Sequence, residues 1–308
     1  MKRSIIYAIV FFCTTSFACA QSLPEVTLDE AWKAKIYSLA PEEPTFPTSK
    51  KKNILVFSLH TGFKHWVIPH TEEMVKIIGE KSGAFNVTGS KDISMFEMKN
   101  LKNYDAIILN NTCSKGDHRN LFWDKLREDS DADSALLMKQ AFQLEANLLE
   151  YVKKGGGLLL LHGAVVTQNN SQAFSELVGG SFDYHPVQQA IQVRLVDVNH
   201  PLVQAFPAGG FNHVDEPYFY KNAYAELDFK PLLYFNNAEI KSQRKGQELV
   251  DGKTYVAWIR AESKGKVMYI SPSHNAQSFE NPDLLQFFLD GMQYVAGDVE
   301  CDETPLKK

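Results

Sequence analysis

Apolar positions along this chain switch repeatedly between a strand period and a helix period. Ile54-Leu55-Val56-Phe57, Tyr104 to Leu109 and Leu158-Leu159-Leu160-Leu161 are short runs, apolar on both faces, as strands buried inside a parallel sheet are. Between them, Met74, Ile77 and Ile78 predict an amphipathic helix that Pro69 opens. Leu136, Leu137, Phe142, Leu144, Leu148 and Tyr151 predict a longer one, closed by Lys153-Lys154-Gly155. Phe85 to Thr88 reads as an edge strand, and the charged segment from Ser114 to Ser134 shows no period. Alternation of this kind predicts an α/β fold, doubly wound around a mostly parallel sheet.

The second half is less regular. Ser171 to Val178 predicts a short helix ended by Gly179-Gly180, Phe182 to Pro186 a loop, and Ile191 to Leu195 a half-exposed strand. Phe211 to Tyr220 has no clear period. Leu232 to Phe235, Tyr255 to Ile259 and Lys266 to Ile270 are late strands, the last two joined as a hairpin, and Asn281-Pro282 opens a final helix. No break in composition divides these segments, so a single domain with loop insertions is expected over residues 53–297, followed by a tail at 298–308.

The N-terminus departs from that pattern. Lys2 and Arg3, an apolar run from Ile5 to Phe12 and Ala18-Cys19-Ala20 have the form of a signal peptide over residues 1–20, cleaved to leave Gln21. Cys19 offers the alternative of a lipidated cysteine, which Ser16-Phe17-Ala18 precedes poorly. A periplasmic or secreted protein follows. Residues 21–52 read as an arm, with a capping box at Thr27–Glu30, a short helix carrying Leu28, Trp32 and Ile36, and then three prolines.

Losing Lys2 and Arg3 takes the formal charge from −5 to about −7, which argues against a nucleic-acid partner. No later run is long enough to span a bilayer. Cys113 and Cys301 remain after cleavage. Their spacing fits no thiolate metal site, and a single bridge between them stays open.

Polar residues cluster where the strands end: His60 after the first, Asn110 and Asn111 after the third, His162 after the leucine run, and His274 beyond Lys266 to Ile270. In one parallel sheet those ends share a crevice. His274 carries a proviso, because a hairpin strand can run antiparallel and put it at the opposite edge. Imidazoles in such a cluster can hold a zinc or other divalent ion, act as bases or bind sugar hydroxyls. His162 is the foremost candidate, then His65 and His274, with His60, His70, His118, His185 and His213 behind them and His200 structural. Asp215-Glu216-Pro217-Tyr218 adds two acids in an extended segment, of which one should face a site, and Tyr218 could stack on a sugar ring. Gly155-Gly156-Gly157 precedes its strand, so nucleotide binding is not supported. With no G-x-S-x-G elbow and no strand-end cysteine, acyl-enzyme chemistry lacks its nucleophile.

Together Thr61-Gly62-Phe63-Lys64-His65, Asn110-Asn111-Thr112, Gly156-Gly157-Leu158 through His162-Gly163-Ala164, Leu177-Val178-Gly179-Gly180, His185-Pro186, Asn199-His200-Pro201, Asp215-Glu216-Pro217-Tyr218, Val256-Ala257-Trp258 and Ser273-His274 resemble the trehalose-utilisation (ThuA-like) family. The resemblance implies a flavodoxin-like sheet similar to class I glutamine amidotransferases, without their glutaminase chemistry. It also implies a role in catabolism of disaccharides through sugars oxidised to a ring ketone. Carried over, it lines the site with His65, His162, His185, Asp215, Glu216 and His274. Joined to the strand-end asparagines and Tyr218, these give His162, Glu216 and Asp215 acid–base roles and put His65, Asn110, Asn111, His185, Tyr218 and His274 on substrate, with His65, His162 and His274 as ligands should a divalent metal be bound. The expected partner is a small carbohydrate and the expected activity glycoside cleavage or isomerisation. A non-catalytic sugar-binding protein and a metal-dependent amidase are the alternatives.

Overall fold

A computed structural model describes residues 23–241 and 252–306; the expected signal peptide lies outside them. Eleven strands are present among these residues. They are β1 (Lys52–Phe57), β2 (Phe85–Ser90), β3 (Ala106–Asn110), β4 (Gly157–Leu161), β5 (Ser181–Tyr184), β6 (Gln189–Leu195), β7 (Phe211–Asp215), β8 (Phe219–Lys221), β9 (Lys230–Asn236), β10 (Lys253–Glu262) and β11 (Gly265–Ile270). Nine of them form one sheet in the order β2-β1-β3-β4-β11-β10-β9-β6-β7. The first five run parallel, in the order of a flavodoxin-like sheet, and the other four extend it antiparallel.

Seven helices cover the two faces: α1 (Glu30–Leu39), α2 (Ile68–Lys81), α3 (Met98–Leu101), α4 (Leu121–Asp129), α5 (Ser134–Lys153), α6 (Gln172–Val178) and α7 (Pro282–Val295). The period of two in each strand builds two cores. Ile54, Val56, Ile108, Leu159, Leu161, Met268 and Ile270 meet α1, α2 and α7, while Leu55, Phe57, Ile107, Leu109, Leu158, Leu160 and Tyr269 meet α4, α5 and α6. That is why the strands read as unbroken apolar runs.

β11 settles the proviso on His274. It pairs antiparallel with β10 but parallel with β4, Ile270 opposite Leu161, so the segment leading to His274 leaves the sheet at the same edge as His162. Several expectations need correction. Phe182 to Pro186 is not all loop, and Phe211 to Tyr220 is not irregular: β5 and β8 pair as a small second sheet, and β7 is the edge of the large one. These strands are three to five residues long and lack clean alternation, so periodicity alone could not find them. The aperiodic 114–134 segment contains α4, capped by Asn120, whose side chain accepts from the Trp123 N–H. In the long helix α5, Leu136 and Phe142 are 50 % and 58 % exposed, outside the buried stripe. Cys113 and Cys301 are both free.

The arm packs onto the domain. Asp29, not Thr27, caps α1 by accepting the Trp32 N–H, and Trp32 and Ile36 are buried. Further on, Gln293 of α7 accepts the Phe46 N–H and donates to its carbonyl, and Thr45 donates to Asp290.

Asp290 generates a stability prediction. Burial raises its pKa to about 6, the hydroxyl of Thr45 and the amide of Gln286 only partly opposing it. The folded state therefore binds the proton more tightly than the unfolded state, and stability falls as pH rises from about 4 through about 6. Both hydrogen bonds end on Oδ1, which asparagine retains. Asp290→Asn should add about 1–3 kcal/mol at pH 8 and nothing near pH 3.5, measured by urea unfolding at both pH values. An equal effect at both would contradict the assignment.

Candidate functional site

At the end of β4 the backbone turns sharply. His162 has φ 45°, a left-handed conformation that costs a non-glycine residue about 1–3 kcal/mol and lifts its ring out of the sheet. Gly163 follows because nothing larger fits: a Cβ there would lie 2.7 Å from both Cys113 Sγ and His65 Cε1. The His162 Nδ1–H donates to the Ser271 carbonyl at 3.0 Å. The neutral ring therefore keeps its lone pair on Nε2, which lies 3.1 Å from His274 Nδ1 and 3.4 Å from Glu216 Oε2.

The other groups arrive from separate elements. His65, on the loop after β1, packs edge-on to His162 and His274 with ring centroids 5.1 and 5.2 Å away. Glu216 follows β7 and reaches in from the antiparallel side, its Oε2 3.3 Å from His274 Nδ1 and 3.8 Å from His185 Nε2. His185 donates through Nδ1 to the Pro186 carbonyl at 2.8 Å, which leaves a lone pair on Nε2 as well. As the extended backbone requires, Asp215 points the other way. Its carboxylate lies 3.6 Å from His213 Nδ1 and 4.0 Å from His162 Nδ1 and accepts the His274 N–H at 3.5 Å. The two acids thus flank His162 from opposite sides.

Burial opposes charge throughout. It pulls His162 down to about 4, holds His65 well below the imidazole range and raises Asp215 to about 7. Burial also works against ionised Glu216 and protonated His274, yet it is outweighed: His162 and His274 together hold the carboxyl well below its usual range, and Glu216 holds the His274 imidazole above its own. Negative charge is concentrated on Glu216, where three imidazoles meet it.

Ligand atoms of His65, His162, Glu216 and His274 all lie within 4.8 Å of one another. Donors at about 2.0–2.1 Å around a tetrahedral zinc stand about 3.3 Å apart, and the His162–His274–Glu216 triangle has edges of 3.1, 3.3 and 3.4 Å. The donor set, its spacing and the carbonyl that orients His162 therefore fit a divalent ion. The sequence points to His65, His162 and His274 as ligands should a metal be bound; Glu216, expected there as an acid–base group, is the fourth group within reach of such an ion.

Above them opens a cleft of about 510 Å³, within the range of small-molecule sites. Tyr218 lies tilted over His162 with ring centroids 4.2 Å apart, Phe182 packs against Tyr218, and Phe63, Tyr184 and Arg119 add to the wall. Phe63 sat unremarked in the Thr61–His65 motif, and nothing in the sequence pointed to Arg119. Cys113 also lines the cleft, three residues beyond β3, so a cysteine is present near a strand end after all. Burial pushes its thiol up to about 12, and it donates to the Gly163 carbonyl, so it is no thiolate nucleophile.

Two expected substrate ligands are placed elsewhere. Asn110 and Asn111 are fully buried beneath the cleft: Asn110 donates to Ser58 Oγ and the Ile68 carbonyl, and Asn111 accepts the Gly163 N–H. Strand-end position brought them to the right edge, but the loops they brace consume their amides. His60 lies on the loop after β1, His70 packs between Trp32 and Trp66, His118 rests on Trp123, and His213 stands behind Asp215. His200 is structural, accepting the Leu202 N–H and donating to the Asp302 carbonyl.

A flavodoxin-like α/β domain with a histidine–carboxylate cluster at the carboxyl edge of its parallel strands is the class these features define. Residues 53–295 match the model of the ThuA family, described as trehalose utilisation, and the chain belongs to that family. Among solved structures it is similar to a ThuA-like protein from Bacteroides uniformis, at 18 % identity over 82 % of this chain and 94 % of the other, with a TM-score of 0.59. A ThuA-like protein from Parabacteroides merdae (15 %, 84 % and 93 %, TM-score 0.57) and a cytoplasmic protein from Salmonella typhimurium (15 %, 79 % and 98 %, TM-score 0.52) share the fold. No curated protein matches the sequence.

Gly163→Ala should displace His65 or Cys113 and destabilise the protein by about 1–3 kcal/mol. Thermal unfolding and the imidazole proton resonances would register it; an unchanged melting curve with unchanged resonances would refute the crowding.

Proposed function

We propose that this protein is an exported enzyme of carbohydrate catabolism that acts on a disaccharide carrying a ring ketone, cleaving the glycosidic bond by elimination. The observation that carries this reading is His185. Its Nε2 bears the lone pair, stands 3.8 Å from Glu216 and belongs to a side chain left 29 % exposed on the cleft wall, whereas His162 is wholly buried under Tyr218. A base must reach the proton it removes, and His185 reaches the cleft where His162 does not.

A ketone acidifies the neighbouring C–H. His185 takes that proton and the electron pair moves into an enolate. As the carbonyl re-forms, a carbon–carbon double bond is made and the glycosidic C–O bond breaks, and the imidazolium returns its proton to the departing oxygen. Water then adds across the double bond. Glu216, 3.8 Å from His185 Nε2, stabilises the imidazolium once the proton has been taken, and Tyr218 and Phe182 offer faces for the sugar ring. A divalent ion on His65, His162, Glu216 and His274, zinc by its donor set, would act as a Lewis acid toward the enolate oxygen. The same enolate reprotonated at another carbon gives isomerisation.

Purified mature protein should release products from 3-keto disaccharides and not from the native sugars, as read by mass spectrometry, and a chelator should suppress turnover. His185→Ala should lower kcat by about 10²–10⁴ with folding intact. Elemental analysis should find about one zinc per chain, lost in His274→Ala. Saturable sugar binding with no product from any substrate would replace this reading with that of a binding protein.

A further inference from the structure

The buried stripe of α5 contains Leu137, Ala141, Glu145, Leu148 and Val152, so a carboxylate occupies a position that is apolar on either side of it. Glu145 is 6 % exposed; Ser171 donates to its Oε1, and its Oε2 has no partner. Beside it Gln168 is completely buried, and neither its amide nitrogen nor its oxygen is hydrogen-bonded. Buried polar groups are rarely left unpaired, because desolvation then goes uncompensated. Both residues line one pocket of about 190 Å³, with Phe142 at its rim, 58 % exposed although helical spacing would have put it inside.

The chemistry of that lining is selective. The Glu145 carboxylate and the Arg119 guanidinium balance each other in the lining, which suits a neutral ligand, while an amide free to donate and to accept suits hydroxyl groups, which do both. Phe142 offers an apolar face of the kind that covers the C–H side of a ring. The volume is below that of drug-sized sites and fits one ring. Its place is informative too. Arg119 lines both this pocket and the histidine cleft, and the turn His162–Val166 runs from the centre toward Gln168.

We propose that this pocket binds one neutral pyranose ring, recognised by Glu145 and Gln168 and covered by Phe142. The ring is either the far half of a disaccharide whose other half lies in the cleft, or a separate monosaccharide. Only the first source rests on the function proposed above.

Calorimetric titration of the full mature chain with trehalose and with glucose tests this without requiring turnover. Phe142→Ala, a surface change, and Glu145→Gln, which keeps an acceptor for Ser171, should each weaken binding by about tenfold. Trehalose binding weakened by these and also by His274→Ala identifies one ligand spanning both sites. Glucose binding weakened by these but indifferent to His274→Ala identifies a separate monosaccharide. Affinities unchanged in both pocket variants, with circular dichroism unchanged, overturn the proposal, as does absence of saturable binding of either sugar to the wild type, which would leave the pocket to water. Binding that responds to Phe142→Ala while no keto-sugar is turned over would sink the catalytic reading and leave this one standing.

Discussion

The parallel pairing of β11 with β4 is the constraint on which the rest of the site depends. Ile270 sits opposite Leu161, so Ser271 leaves the sheet beside His162 and its carbonyl is in place to take the Nδ1 proton. That one bond fixes the tautomer of His162, and with it the direction of the lone pair that His274 and Glu216 face. Had β11 run antiparallel to β4, His274 would have emerged at the opposite edge and the cluster would not exist.

This dependence explains which parts of the site could be read from the sequence. His65 and His162 follow runs so uniformly apolar that their strands, and hence their edge, are evident from residue pattern alone. His274 was placed only conditionally, since a hairpin says how β10 and β11 meet and nothing about what lies on the far side of β11. The walls were less legible still. β5, β7 and β8 are short and sit at edges or in the small sheet, where burial is uneven and the period of two fades. Arg119 carries no signal because the segment around it is charged and aperiodic. Asn110 and Asn111 mark the opposite failure: position was read correctly, but whether a strand-end amide serves a ligand or the neighbouring loops is decided by contacts made many residues away.

Strain at the strand ends follows the same logic. His162 and Asn111 are both left-handed, with φ of 45° and 51°, at the ends of adjacent strands. A glycine would relieve either, yet the first would lose the imidazole and the second the oxygen that holds the Gly163 N–H. Packing on both sides of the sheet, where Leu158 to Leu161 are fully buried, supplies the rigidity that keeps these conformations populated. The centre is held in shape by a core it does not belong to.

The place of β11 in the sheet also sets an order of events during biosynthesis. Residues 265–270 supply a strand at the middle of the nine, between β4 and β10. Until they are available, the leucine strand has one neighbour and an open edge of unsatisfied amides, the kind of edge on which chains aggregate. α7, which covers that strand and grips the arm at Phe46, comes later still. Closure of the sheet therefore depends on long-range pairing, and the leucine strand keeps an open edge until residues 265–270 have been made.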